Sequence, residues 1–188
     1  ALVKKMSKEL ANFNKKYNLE VTEDTVELDA LSKKIGDEGL KIICSIKFKK
    51  LEQLLLEEND IKNIDVLAKN NLGTKLIALD LSTNKISSLD VLSKLNFPGL
   101  NHLFLNSNQI SSIDILAKVN FSKLKELNLS SNKISSIDIL AQVNFPDLKD
   151  LDLSKFRTTN LQNLGSTFNG CSSLTSLDLS KFDTSREA

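Results

Sequence analysis

The stretch LIALDLSTN at residues 76–84 returns as LNHLFLNSN at 100–108 and LKELNLSSN at 124–132. An earlier copy, LEQLLLEEN, starts at Leu51, and later ones, LKDLDLSKF and LTSLDLSKF, start at Leu148 and Leu174. The copies thus follow one another at steps of 24 to 26 residues. Leucines two apart, as in L-D-L or L-F-L, fall on one face of a short strand, and the residues between them fall on the other. A strand of this length cannot cover its own leucines. The near-constant period therefore predicts units stacked side by side, with parallel strands and one core running behind them.

The first four copies satisfy L-x-x-L-x-L-x-x-N in full. On that motif the chain resembles the leucine-rich-repeat family. The resemblance implies an α/β solenoid, a curved horseshoe with a parallel β-sheet on its concave face and short helices or 3₁₀ turns on its convex face. Such an array offers a long surface rather than an enclosed pocket, so the expected activity is binding, and the chain is not expected to be an enzyme.

The segments after the motifs repeat as well: KISSLDVLSKLNFPG, QISSIDILAKVNFSK and KISSIDILAQVNFPD begin at Lys85, Gln109 and Lys133. Ile86, Leu89 and Leu92, with their counterparts Ile110, Ile113, Leu116 and Ile134, Ile137, Leu140, are expected behind the sheet, and Phe97, Phe121 and Phe145 should close the convex side. These pieces are similar to the short repeats of internalin-type and phosphatase-regulatory proteins. Upstream, TVELDALSKKIGDEGLKIICSI at 25–46 reads as a seventh repeat. Val26, Leu28 and Leu31 are assigned there to strand and turn positions, with a 28-residue step from Val26 to Leu54. Its GDEGL resembles the helix start of ribonuclease-inhibitor-like repeats, which implies a helix opened by Gly36 and Asp37 with Leu40, Ile43 and Ile46 turned inward. Downstream, LDLSKFRTTN, FNGCSSL and LDLSKFDTS, within residues 148–185, resemble the BspA-like repeats of bacterial and protist surface proteins. Phe156 and Phe182 replace the motif asparagine there.

Val3, Met6, Leu10, Phe13 and Tyr17 recur at helical steps between lysines, which predicts an N-terminal helix. An end repeat leaves apolar core facing water, so residues 1–18 are expected to form a cap. No linker-like tract divides the rest. The expectation is a single domain, 1–188, with about seven repeats in 25–188.

The formal net charge of +1 gives no global attraction to nucleic acid or membrane. No stretch reaches the roughly 18 consecutive apolar residues of a membrane helix, so neither membrane insertion nor a nucleic-acid partner is expected. Cys44 and Cys171 lie about five repeats apart, too far for a disulfide at about 4.8 Å per strand. Core thiols fit both a cytoplasmic and a cell-surface location, and the compartment stays open. The chain lacks a phosphate-binding glycine loop, a dinucleotide fingerprint, a C-x-x-C pair and H-E-x-x-H, so no cofactor, metal or catalytic residue is expected.

Regular polar columns have structural explanations. Asn59, Asn84, Asn108 and Asn132 should satisfy backbone groups inside the turns. Asp65, Asp90, Asp114 and Asp138 are expected to N-cap short convex helices, and the Ile-Ser-Ser triplets to be solvated turns. What remains is the concave face. Its columns read Thr25, Gln53, Ala78, His102, Glu126, Asp150, Ser176; then Glu27, Leu55, Asp80, Phe104, Asn128, Asp152, Asp178; then Asp29, Glu57, Ser82, Asn106, Ser130, Ser154, Ser180. Glu126, Asp150, Asp152 and Asp178 cluster on neighbouring strands, while Leu55 and Phe104 are apolar where water would favour polar groups. An aromatic beside like charges suits a protein-binding centre. The expected partner-binding residues are Leu55, Asp80, His102, Phe104, Glu126, Asn128, Asp150, Asp152 and Asp178, and the expected partner is a protein with basic and apolar groups. Two rivals stand beside this reading: a surface adhesin of the BspA-like kind, and a structural spacer. The strand at 174–179 has nothing after it to cover its edge, so continuation of the native protein past Ala188, or association through that edge, is also expected.

Overall fold

The computed structural model describes residues 2–154, 168, 171 and 174–178, with side chains from Ser7 onward except those of Leu177 and Asp178. Among these residues seven strands form one open parallel sheet in chain order: β1 (Glu27–Asp29), β2 (Gln53–Leu55), β3 (Ala78–Asp80), β4 (His102–Phe104), β5 (Glu126–Asn128), β6 (Asp150–Asp152) and β7 (Ser176–Asp178). Helix α1 spans Leu2–Tyr17 and α2 spans Gly36–Ser45.

The central leucines Leu28, Leu54, Leu79, Leu103, Leu127, Leu151 and Leu177 are in register across the sheet. Those from Leu28 to Leu151 are buried, as are Leu56, Leu81, Leu105, Leu129 and Leu153 two residues on. Burying each such side chain is worth about 1.5–3 kcal/mol, so the sheet is held mainly by what lies behind it. The first repeat corrects the sequence register. Leu28, not Val26, pairs with Leu54, and the core positions are Leu28 and Ala30, whereas Val26 and Leu31 are 45% and 50% exposed. The alternation V-E-L-D-A places its two inward residues at either Val26 and Leu28 or Leu28 and Ala30. Pairing with β2 selects the latter by setting Leu28 beside Leu54.

Behind the sheet, later repeats return through 3₁₀ turns at Asp65–Lys69, Asp90–Lys94, Asp114–Lys118 and Asp138–Gln142. Their buried pairs, Ile64 and Leu67, Leu89 and Leu92, Ile113 and Leu116, Ile137 and Leu140, are three apart. Each pair is also joined by an amide-to-carbonyl bond of 3.0 Å, the repeat length at which a 3₁₀ turn stacks side chains directly above one another. Phe97, Phe121 and Phe145 are buried as expected, and Cys171 is buried in the next repeat, its carbonyl accepting from Leu174 as Phe145 accepts from Leu148.

The aspartates do not cap these turns. The capping positions are Ile64, Leu89, Ile113 and Ile137, none with a side-chain cap bond. Instead, the Asp65 amide donates to Asn63 Oδ1, and those of Asp90, Asp114 and Asp138 donate to the hydroxyls of Ser88, Ser112 and Ser136. The second serine of each Ile-Ser-Ser triplet is thus a turn acceptor. Each aspartate is the first residue inside the turn, where its charge still favours the exposed amides.

The asparagine column lies inside the turns. Asn84 Nδ2 donates to the carbonyls of Leu56, Leu81 and Ser82, and its Oδ1 accepts from the amides of Asn59 and Ile61. Asn108 and Asn132 reach back in the same way to Leu81 and Leu105. The residue before each asparagine, at Glu58, Thr83, Ser107 and Ser131, has φ of 53° to 57°. That left-handed turn aims the amide into the core. Phe156 and Phe182, with most of the 148–185 segment, lie outside the described residues.

At the N-terminal end α1 packs on α2 with Phe13 and Tyr17 buried, and Tyr17 Oη donates to the Ile35 carbonyl at 3.3 Å. The side chains of Val3 and Met6 lie outside the described set. Cys44 and Cys171 are both buried and free, and burial pushes the Cys44 thiol up to about 12.

Candidate binding face

Strand pairing sets the outward columns. One column runs Glu27, Gln53, Ala78, His102, Glu126, Asp150, Ser176, and the second runs Asp29, Leu55, Asp80, Phe104, Asn128, Asp152, Asp178. From β2 onward these agree with the sequence columns. At β1 each shifts by two residues, so Glu27 belongs beside Gln53 and Asp29 beside Leu55. The third column is not fully outward: Ser82 and Ser154 are buried, because the chain already bends inward there.

The second column has a local function that the sequence reading missed. The Oδ1 atoms of Asp29, Asp80, Asn128 and Asp152 accept from the amides of Leu31, Ser82, Ser130 and Ser154, each two residues on. These side chains close the strand exit with an Asx turn. The signal was present in D-L-S and N-L-S, where an acid or amide stands two residues before a serine at the bend. Leu55 and Phe104 have no acceptor to offer. Those two strands therefore go without the bond made in four of the others.

The centre of the face is a chain of three side chains. His102 and Phe104 stack nearly parallel, with ring centroids 6.2 Å apart and 8° between the planes. On the neighbouring strand, Glu126 Oε2 lies 3.0 Å from His102 Nδ1 and accepts its hydrogen bond when that nitrogen is protonated. Both side chains are 40% exposed, so the pair positions the ring more than it stabilises the fold. Phe104 is half-buried by this arrangement. Of the expected acidic cluster, Glu126 is therefore engaged by His102 and Asp152 by its own turn, while Asp150 is exposed. Asp178 lies in register beside Asp152, and its side chain is outside the described set. Lys125 and Lys149, exposed one residue before β5 and β6, rim the face; Lys155 and Lys181 lie outside the described residues.

Towards β1 the face carries more acid. Glu57 is raised above the ordinary carboxylate value, first by partial removal from water and then by Asp80, Glu58 and Asp29. The described residues contain no cluster of metal-ligating side chains and no helix long and apolar enough to cross a membrane.

Comparison with known proteins agrees with the repeat architecture. Residues 98–142 and 122–166 match the family model of leucine rich repeats. The fold is the leucine-rich-repeat solenoid. A crystal structure of an internalin (inlF) from Listeria monocytogenes is 27% identical, with a TM-score of 0.55 over 88% of this chain and 42% of that one. This chain thus spans less than half the length of that internalin. A second internalin from the same organism, internalin C2, superposes with a TM-score of 0.57 at 20% identity, covering 89% of this chain and 90% of its own. The leucine-rich-repeat ectodomain of an Arabidopsis thaliana membrane receptor kinase, solved in complex with Casparian strip integrity factor 2, has a TM-score of 0.56 at 24% identity. It covers 74% of this chain and 16% of its own. At such identities the last two show the fold alone. No curated protein sequence matches the chain.

Proposed function

We propose that this solenoid is a protein-binding module, not an enzyme, and that it engages its partner through the outward sheet face around Phe104. The observation that carries this reading is the exception in the second column. At Asp80, Asn128 and Asp152 the side chain serves the fold, whereas Phe104 gives up that bond and presents a half-exposed ring. His102 and Glu126 hold the ring from one side, which lowers the ordering cost of binding. Leu55, Asp80, Asn128, Asp150, Asp152 and Asp178 complete the face, so the partner carries apolar and basic groups. The complexed receptor ectodomain supports a protein or peptide partner for this architecture.

The test is affinity capture with the folded chain, followed by binding kinetics of the captured partner. Phe104→Ala is expected to speed dissociation and cost about 2 kcal/mol or more, as a central anchor does. Asp150→Lys, whose carboxylate makes no fold contact, should slow association and flatten its salt dependence. Unaltered kinetics in both variants would place the interface elsewhere, and failure of a folded array to bind any partner would favour the spacer.

A further inference from the structure

Among the described residues no strand pairs with the outer edge of β1, and a built groove lies beside it. Gln53 and Ala30 donate to the carbonyls of Val26 and Leu55, so β1 pairs with β2 through the backbone groups of Val26, Leu28 and Ala30. By the alternation of a strand, the amides and carbonyls of Glu27 and Asp29 point the other way. Helix α1 does not cover them, because it packs on α2 behind the sheet. Instead, the segment Leu19–Val21 runs opposite, leaving an open cleft of about 350 Å³ lined by Leu19, Glu20, Val21, Thr25, Glu27, Leu28 and Asp29. Its far wall is held in place: Asn14 Nδ2 donates to the Val21 carbonyl at 2.9 Å, and Asn14 Oδ1 accepts from the Val21 amide at 3.0 Å.

We propose that this cleft binds an extended peptide segment of alternating basic and aliphatic residues, which adds to β1 as an eighth strand. Two outward donors and two outward acceptors on Glu27 and Asp29 match the needs of one added strand. Side-chain alternation then fixes the chemistry. A residue turned inward meets the half-buried Leu19, backed by the buried Val21 and Leu28, which asks for an aliphatic group. Its neighbours turn outward beside Glu27, Asp29 and Glu20, which asks for lysine or arginine. The cleft volume lies at the lower end of that found for ligand sites, about 300–1,000 Å³, enough for a few residues of a strand rather than a folded domain. This site lies at one end of the array, three strands from Phe104, and does not depend on the function proposed above.

The probe is a short fluorescent peptide of alternating arginine and valine, titrated into the full 188-residue chain and read by anisotropy. Binding should weaken at least about tenfold, or about 1.4 kcal/mol, in Glu20→Lys/Glu27→Lys. It should also weaken in Glu27→Pro, which deletes an outward N–H and leaves the bonds to β2 in place. N-methylating one alternate set of peptide residues should abolish binding, and methylating the other set should leave it within about threefold. Phe104→Ala should have no effect. Equal sensitivity to the two methylation sets, full binding by the Glu20→Lys/Glu27→Lys protein, or loss of binding in Phe104→Ala would each overturn the proposal. Should Glu27→Pro unfold, the lysine variant and the methylation pair still decide.

Discussion

The middle repeats return from strand to strand through a five-residue 3₁₀ turn, whereas the first repeat uses the ten-residue helix α2, which buries Gly39, Leu40, Ile43 and Cys44. The difference follows from their neighbours. A middle repeat has a turn stacked on each side, so a narrow stripe of two residues three apart is enough to close its layer of core. The first repeat meets the 3₁₀ turn at Asp65–Lys69 on one side and α1 on the other, and a helix presents apolar positions to both. The asparagine column shows the same asymmetry. Each asparagine reaches back to the preceding turn, as Asn59 does to Ala30, Lys33 and Ile35. Among the described residues no earlier repeat stacks its turn on that of the first, and Lys33 stands where an asparagine would have no such turn to bind. Repetition specifies the interior of such a molecule, and its departures mark the end.

The severest way to break that end is to remove α1. Deleting residues 1–18 exposes the surface of α2 that Phe13 and Tyr17 cover, so aggregation or loss of cooperative unfolding is expected. A soluble truncation of unchanged midpoint would show that α2 needs no cap. Gly39→Ala is the finer probe. A Cβ at Gly39 would stand 2.6 Å from the Ile35 Cγ2 methyl and 3.2 Å from Tyr17 Oη. Overpacking of this kind costs about 1–3 kcal/mol, measurable as a lowered urea midpoint.

An interior repeat should break at its asparagine and tolerate change on its outer face. Asn108→Ala orphans the amide of Ile86 and leaves the carbonyls of Leu81 and Leu105 with only the donors from Asn84 and Asn132, which should cost about 1–3 kcal/mol. His102→Ala, on the strand of the same repeat, should stay within about 0.5 kcal/mol. Equal losses from the two in urea denaturation would mean that the ladder and the face are not separate layers.

Most of the fold was legible because the period is long and the motif strict. From Leu51 onward, one alignment by repeats places every core leucine, the asparagines and two outward columns. It also sets His102 beside Glu126, a contact that the columns held and the reading did not draw. What failed was local. In the first repeat V-E-L-D-A admits two registers, and only pairing with β2 separates them. The misplaced register hid the outward edge of Glu27 and Asp29, and with it the cleft. At the 3₁₀ turns an aspartate before an apolar run resembles a cap, yet the acceptor is the serine or asparagine two residues earlier. A five-residue turn leaves no room for the aspartate to stand outside it. The Asx bonds of the second column were readable from D-L-S, but competed with a binding interpretation for the same carboxylates.

The smallest expected effect concerns the acidic end of the outward face. Glu57 is raised by partial removal from water and by Asp80, Glu58 and Asp29, so the folded chain holds its proton more tightly than the unfolded chain does. For a carboxyl with a raised folded value, the charged form opposes folding at pH above that value. The penalty vanishes below the unfolded value, where both states are protonated. Glu57→Gln should therefore stabilise the protein at neutral pH. The gain should stay within about 0.5 kcal/mol, since the side chain is exposed and screened, and it should fade as pH falls through the carboxylate range. Thermal melts of both proteins across that range would check this. A gain that persists unchanged in acid would assign the effect to something other than charge, and a loss at neutral pH would show that Glu57 makes a favourable contact at the end of the sheet.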